Sequence, residues 1–130
     1  MSVQETSLRL HSCGFNCAQS VLAALGSYTG MDEKTALAVS VGFGGGVRCG
    51  EICGAVSGAV MAIGLAFPYA DGEDSDAKTR IARLTMRMTR DFVKQFGCIR
   101  CQDLKRNGVP CDELIAWAAA HAEEIIQENK

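Results

Sequence analysis

Aromatic residues make up only 6% of the 130 residues, and charge is nearly balanced, with 13 basic and 15 acidic side chains. Nucleic-acid binders concentrate basic charge and stacking side chains, so composition argues against that class. The N-terminal stretch MSVQETSLRLHSCG lacks a basic start followed by an apolar run, which gives no secretory signal to read and points to a reducing cytoplasm. No internal repeat, low-complexity tract or linker divides the sequence, so one domain over residues 1–130 is expected. The glycine-rich stretch has neither the Gly-Lys-Ser/Thr ending of a phosphate loop nor a G-x-G-x-x-G frame, which excludes the common nucleotide signatures. His11 and His121 are the only histidines and are far apart in the chain. His121 is expected on the outer side of the last helix, and His11 draws attention only by its nearness to Cys13 and Cys17. Seven cysteines in 130 residues are too few for a disulfide scaffold, and an odd number cannot all pair within one chain. A chain of this length buries roughly two-thirds of its unfolded surface without such staples.

What is present is helical spacing and no convincing alternating strand. Cys17, Val21, Leu22 and Leu25 fall on one face of a helix over 16–25, which Gly26 weakens or ends. Asp32 suits the N-cap of a second helix with Ala36, Leu37, Val39 and Val41 on its apolar side. The run Gly42-Phe43-Gly44-Gly45-Gly46-Val47-Arg48-Cys49-Gly50 holds five of the 14 glycines and reads as a loop. Ser57 is the only polar side chain between Ile52 and Tyr69. That segment reads as a buried central helix rather than a membrane span, because its neighbours are amphipathic and acidic residues follow at once. Asp74 or Ser75 can cap a long helix ending at Gly97, with a core stripe of Ala77, Ile81, Leu84, Met88, Phe92 and Phe96. Its other face carries Arg80, Arg83, Arg87, Arg90 and Lys94. From Lys78 to Arg106 there are nine basic and two acidic residues; a solvated face or a docking surface for an acidic partner both fit. A last helix starts near Pro110, Cys111 and Asp112 and buries Leu114, Ile115, Ala118, Ala122 and Ile125. The expected fold is all-α, a compact bundle of about five helices around a Gly-rich apolar one.

The thiols lie at 13, 17, 49, 53, 98, 101 and 111. A free cysteine is often a small buried hydrophobe. Four of these, however, stand at helix starts or beside a cation, where a thiolate is favoured: Cys17 in a first turn, Cys53 after the glycine loop, Cys101 after Arg100, and Cys111 after Pro110. Such sulfurs suit either ligation or nucleophilic attack. Cys49 and Cys53 share a face only if their helix begins early. Glu51 reads as a carboxylate placed on a helix dipole. The spacings match no ferredoxin run, and a single C-x-x-C is weak as a zinc ribbon.

Together, Asn16-Cys17-Ala18-Gln19, the glycine loop, Cys53-Gly54-Ala55-Val56-Ser57-Gly58, Arg100-Cys101 and Cys111 with Leu114-Ile115 resemble the bacterial family named redox-active after its C_GCAxxG_C_C pattern. The resemblance implies that Cys17, Cys53, Cys101 and Cys111 are the shared cofactor-binding or metal-ligating positions, with Cys13, Cys49 and Cys98 as extras. The resemblance itself implies redox activity; the first reading drawn from the residues is electron transfer through an iron–sulfur cluster, [2Fe–2S], on these four cysteines, with a redox partner protein of acidic character docking on the basic helix face, and a homodimer is compatible. An oxidised cluster on four thiolates is a buried dianion, for which the glycine-loop N–H groups, Arg48 and Arg100 would compensate. The alternatives are metal-free thiol–disulfide exchange and a zinc-binding module, and the substrate and the electron donor and acceptor are not given by any motif.

Overall fold

The computed structural model describes all 130 residues. Its helices are α1 (Val3–Ser12), α2 (Cys17–Ala24), α3 (Gly26–Thr29), α4 (Glu33–Ser40), α5 (Gly54–Ala66), α6 (Ser75–Phe96), α7 (Cys101–Arg106) and α8 (Cys111–Glu128); a 3₁₀ turn at Val41–Phe43 and a π-type turn at Gly46–Gly50 join α4 to α5. Eight helices stand where the apolar spacing shows about five. The three extra ones have weak signals: α3 and α7 have only four and six residues, and α1 buries Val3, Ser7 and Leu10, a stripe interrupted by serine.

Local chemistry starts these helices. Ser2 and Glu5 form a reciprocal capping box on α1, and Asn16 and Gln19 form another on α2. Asp32 caps α4 through the Thr35 N–H, and Asp74 caps α6 through the Ala77 N–H. Gly97 ends α6 in the left-handed conformation at φ 87°.

The core joins α2, α5 and α8, with α6 against α5 and α8. In α8, Leu114, Ile115, Ala118, Ala122 and Ile125 are buried as their spacing predicts, and so are Ala119 and Ile126. In α6 only Leu84, Met88 and Phe92 are buried, while Ala77, Ile81 and Phe96 are half-buried at its ends. The apolar side foreseen for α4 is corrected: the helix stops at Ser40 and turns Ala36 and Ser40 inward, leaving Val39 50% and Val41 47% exposed. The apolar segment is shorter than its composition suggests, since α5 stops at Ala66 with Phe67 as its cap. No helix is long and apolar enough to cross a membrane.

Two glycines set the approach of α5 to α2. A Cβ on Gly58 would lie 2.7 Å from the Ala18 carbonyl oxygen and 3.2 Å from Val21 Cβ, and one on Gly54 would overlap Cys17 Sγ. Only hydrogen fits at either place. Seven of the thirteen residues of α5 are buried.

A different kind of packing joins α6 to α8. Trp117 meets Phe92 and Phe96 edge-on, at ring separations of 5.8 and 5.6 Å, and stacks on His121 at 4.5 Å. His121 is not on the outer side of α8: its side chain is only 14% exposed, with Nε2 2.7 Å from Asp91 and Nδ1 3.3 Å from Glu124. Arg87 reaches Glu128 at 2.6 Å, and Arg80 binds the Asn129 carbonyl and lies over the Phe67 ring.

Candidate cysteine site

Four cysteines occupy four helix starts. Cys17, Cys101 and Cys111 are the first residues of α2, α7 and α8, and Cys53 is the N-cap of α5. Each therefore sits at the end of a helix where backbone N–H groups lack intrahelical acceptors and the dipole is positive.

A two-residue backbone clip holds two of them. The Cys53 N–H donates to the Ile99 carbonyl at 2.9 Å and the Cys101 N–H to the Glu51 carbonyl at 2.6 Å, on either side of an isolated antiparallel bridge between Ile52 and Arg100. Side chains alternate across such a pairing. Ile52 and Arg100 face solvent, while Cys53 and Cys101 are 3% and 9% exposed. Cys17 is brought beside Cys53 by the glycine between them in space: its Sγ lies where a side chain on Gly54 would begin. Asn16, which caps α2, also donates from Nδ2 to the Val41 carbonyl at 2.9 Å and so ties the glycine loop to this helix start. Cys17 is half-buried and Cys111 exposed.

The electrostatics follow from this crowding. Burial pushes the Cys53 thiol up to about 12, against the pull of the Ala55 and Val56 N–H groups, and the charges of Cys17 and Cys101 push it further the same way. Cys111 is raised by desolvation first and then by Cys17; Lys105 draws it back, while Cys101 and Asp112 add to the rise. The expectation that a helix start leaves these two sulfurs readily ionised is thus corrected, since desolvation is the largest effect on both. All four sulfurs are nevertheless joined by these effects, with Cys17 and Cys101 acting on both Cys53 and Cys111. No three His, Cys, Asp or Glu side chains are close enough together to grip a single metal ion.

The cations foreseen beside the sulfurs stand elsewhere. Arg100 turns to the outer face of the clip, 3.0 Å from Glu51 and 3.7 Å from Asp103. Glu51 accordingly serves an ion pair rather than the dipole of α5, which begins three residues later. Arg48 is exposed. Cys49 lies in the π-type turn, not on the helix of Cys53, and donates to the Gly46 carbonyl at 3.4 Å. Cys13 is exposed at the end of α1, and Cys98 accepts a weak contact from Asn107 Nδ2 at 3.8 Å. Spacing gave no warning of the clip or of Lys105, because α7 is too short to announce itself. Nor did it foresee the 2.6 Å pair of His11 Nδ1 with Asp112, which fastens the end of α1 beside Cys111.

No curated protein and no solved structure matches the chain. The family model described as "Putative redox-active protein (C_GCAxxG_C_C)" matches residues 15–125, a span that contains all four helix-start cysteines and both glycines at the α2–α5 contact. On that match, the chain belongs to the C_GCAxxG_C_C family of redox-active proteins.

Proposed function

We propose that Cys17, Cys53, Cys101 and Cys111 hold an iron–sulfur cluster of the [2Fe–2S] type and that the protein exchanges single electrons with a redox partner protein. The observation that carries this reading is the set of four thiols on four helix starts, each within the electrostatic field of others. When bound, the cluster supplies one-electron redox chemistry at a potential set by burial and by hydrogen bonds to sulfur. The chain's own part is to hold and shield. The clip fixes Cys53 and Cys101, Gly54 admits the Cys17 sulfur, and Lys105 offers positive charge beside Cys111.

Metal-free exchange has less support. The thiolate is the nucleophile in that chemistry, and Cys53, with its thiol near 12, is almost wholly protonated at neutral pH. Metal ligation instead displaces the proton as it binds.

Anaerobic purification, followed by a visible spectrum and analysis for iron, labile sulfide and zinc, tests the reading. Iron and sulfide in equal amounts are expected. Cys→Ser changes at 17, 53, 101 or 111 should each remove the chromophore, whereas those at 13, 49 or 98 should keep it. Colourless protein after anaerobic reconstitution, or zinc alone in all preparations, would overturn it.

A further inference from the structure

We infer that α6 presents a docking surface for a small acidic protein, formed by Arg83, Arg90 and Lys94 with the exposed apolar side chains Met86 and Val93 beside them. The six cations of this helix are not equivalent, and Lys78, near its start, stands apart from the others. Arg80 and Arg87 are used within the chain, on the Asn129 carbonyl and on Asp91 and Glu128 at the end of α8. None of the ion pairs of the chain involves Arg83, Arg90 or Lys94, and all three are exposed. Arg90 bonds only to the Met86 carbonyl of its own helix, at 3.4 Å. At 3.6 residues per turn, positions 83, 90 and 94 form one row about 16 Å long, with 86 and 93 alongside it.

Met86 and Val93 are 50% and 40% exposed. Large apolar side chains beside unpaired cations combine the two features of a contact surface, apolar area for affinity and charge for steering. Charge complementarity chooses the occupant: unpaired cations favour acidic groups and disfavour a basic or neutral partner. The row also leads to the site. Lys94 is followed within seven residues by Gly97, the clip and Cys101, and the unpaired Lys105 lies beyond it. The surface itself stands on these contacts; only the redox character of its partner rests on the cluster reading above.

A plant-type ferredoxin, small and strongly acidic, is a suitable probe, labelled for fluorescence anisotropy and titrated with the full chain in apo and cluster-loaded form. Binding that weakens steeply with added salt is expected. The triple variant R83E/R90E/K94E should weaken it at least tenfold at low salt and flatten the salt dependence, with the neutral R83Q/R90Q/K94Q intermediate. A control with the same change in net charge, R9E/K34E/K130E, should lose no more than about threefold by loss of general steering. Equal weakening in control and patch variants, or binding indifferent to salt, would overturn the surface. So would salt-sensitive self-association of the chain that the patch variant abolishes, since a second copy would then be the occupant. Loss of the iron chromophore with ferredoxin binding intact would sink the cluster reading alone.

Discussion

The seam between α6 and α8 and the cysteine site are built on opposite principles. At the seam basic side chains meet acidic ones: His121 lies between Asp91 and Glu124, and Arg87 between Asp91 and Glu128. At the cysteine site like groups face one another, and burial first, then the nearness of Cys17 and Cys101, raises the proton affinity of Cys53 and Cys111. Backbone strain gathers on the same side of the molecule, in the turn leading to Cys53, where Val47 and Arg48 hold φ of 57° and 59°. A β-branched residue there is costly. Sequences that break local rules do so where function requires it. The seam pairs its charges side chain to side chain, whereas the site keeps Cys53 and Cys111 protonated, and on the cluster reading a bound group would take the place of those protons.

The largest expected effect breaks this contrast with alkali. The Cys53 thiol is raised in the folded state from about 9 to about 12, so folding favours its protonated form. The stabilisation is fully present below pH 9 and is lost as pH rises through 12. Three pH units correspond to at most about 4 kcal/mol, a large share of the stability of an ordinary domain. Denaturant unfolding of reduced apo-protein, compared with Cys53→Ala at each pH, should show the two curves converging over that window. Parallel curves would mean that the sulfur is not held in a dry place. A smaller effect sharpens the comparison along one helix. Gly54→Ala forces a methyl against Cys17 Sγ and the Phe43 carbonyl, whereas Gly64→Ala on the same helix meets nothing within 4 Å. The first should cost about 1–3 kcal/mol and, on the cluster reading, the iron as well, while the second should stabilise by up to about 1 kcal/mol. Iron content and urea midpoints of the two variants read both expectations, and equal behaviour would remove the steric account of the Cys-Gly step.

How far the molecule was legible in its sequence follows from the range of the forces involved. Caps and core stripes are local, so Asp32, Asp74, Gly97 and the inward face of α8 stand where spacing puts them. The all-helical character follows from the same periodicity. The grouping of helix-start cysteines was visible as four thiols in similar settings. The clip was not, since two backbone hydrogen bonds between residues nearly fifty positions apart leave no periodic trace. Arg100 shows the same limit: beside Cys101 in sequence, it is sent by the strand-like alternation to Glu51 instead. His121 departs from its expected outward position because Asp91 of α6 draws it inward, with Trp117 and Glu124 of its own helix holding the ring there.

The smallest effect belongs to the seam. Arg87 is partly exposed, as are Asp91 and Glu128, with which it pairs, so solvent screens the attraction and Arg87→Ala should cost only about 0.5–1 kcal/mol. A double-mutant cycle with Glu128→Ala isolates that pair, and the coupling should shrink in 0.5 M salt as screening lengths fall to a few Å. On the cluster reading, iron content should remain that of the parent protein in all three variants, because neither Arg87 nor Glu128 bonds to a cysteine. Loss of iron in Arg87→Ala would show that the seam and the site are one cooperative unit, and the contrast between the two regions would then fail.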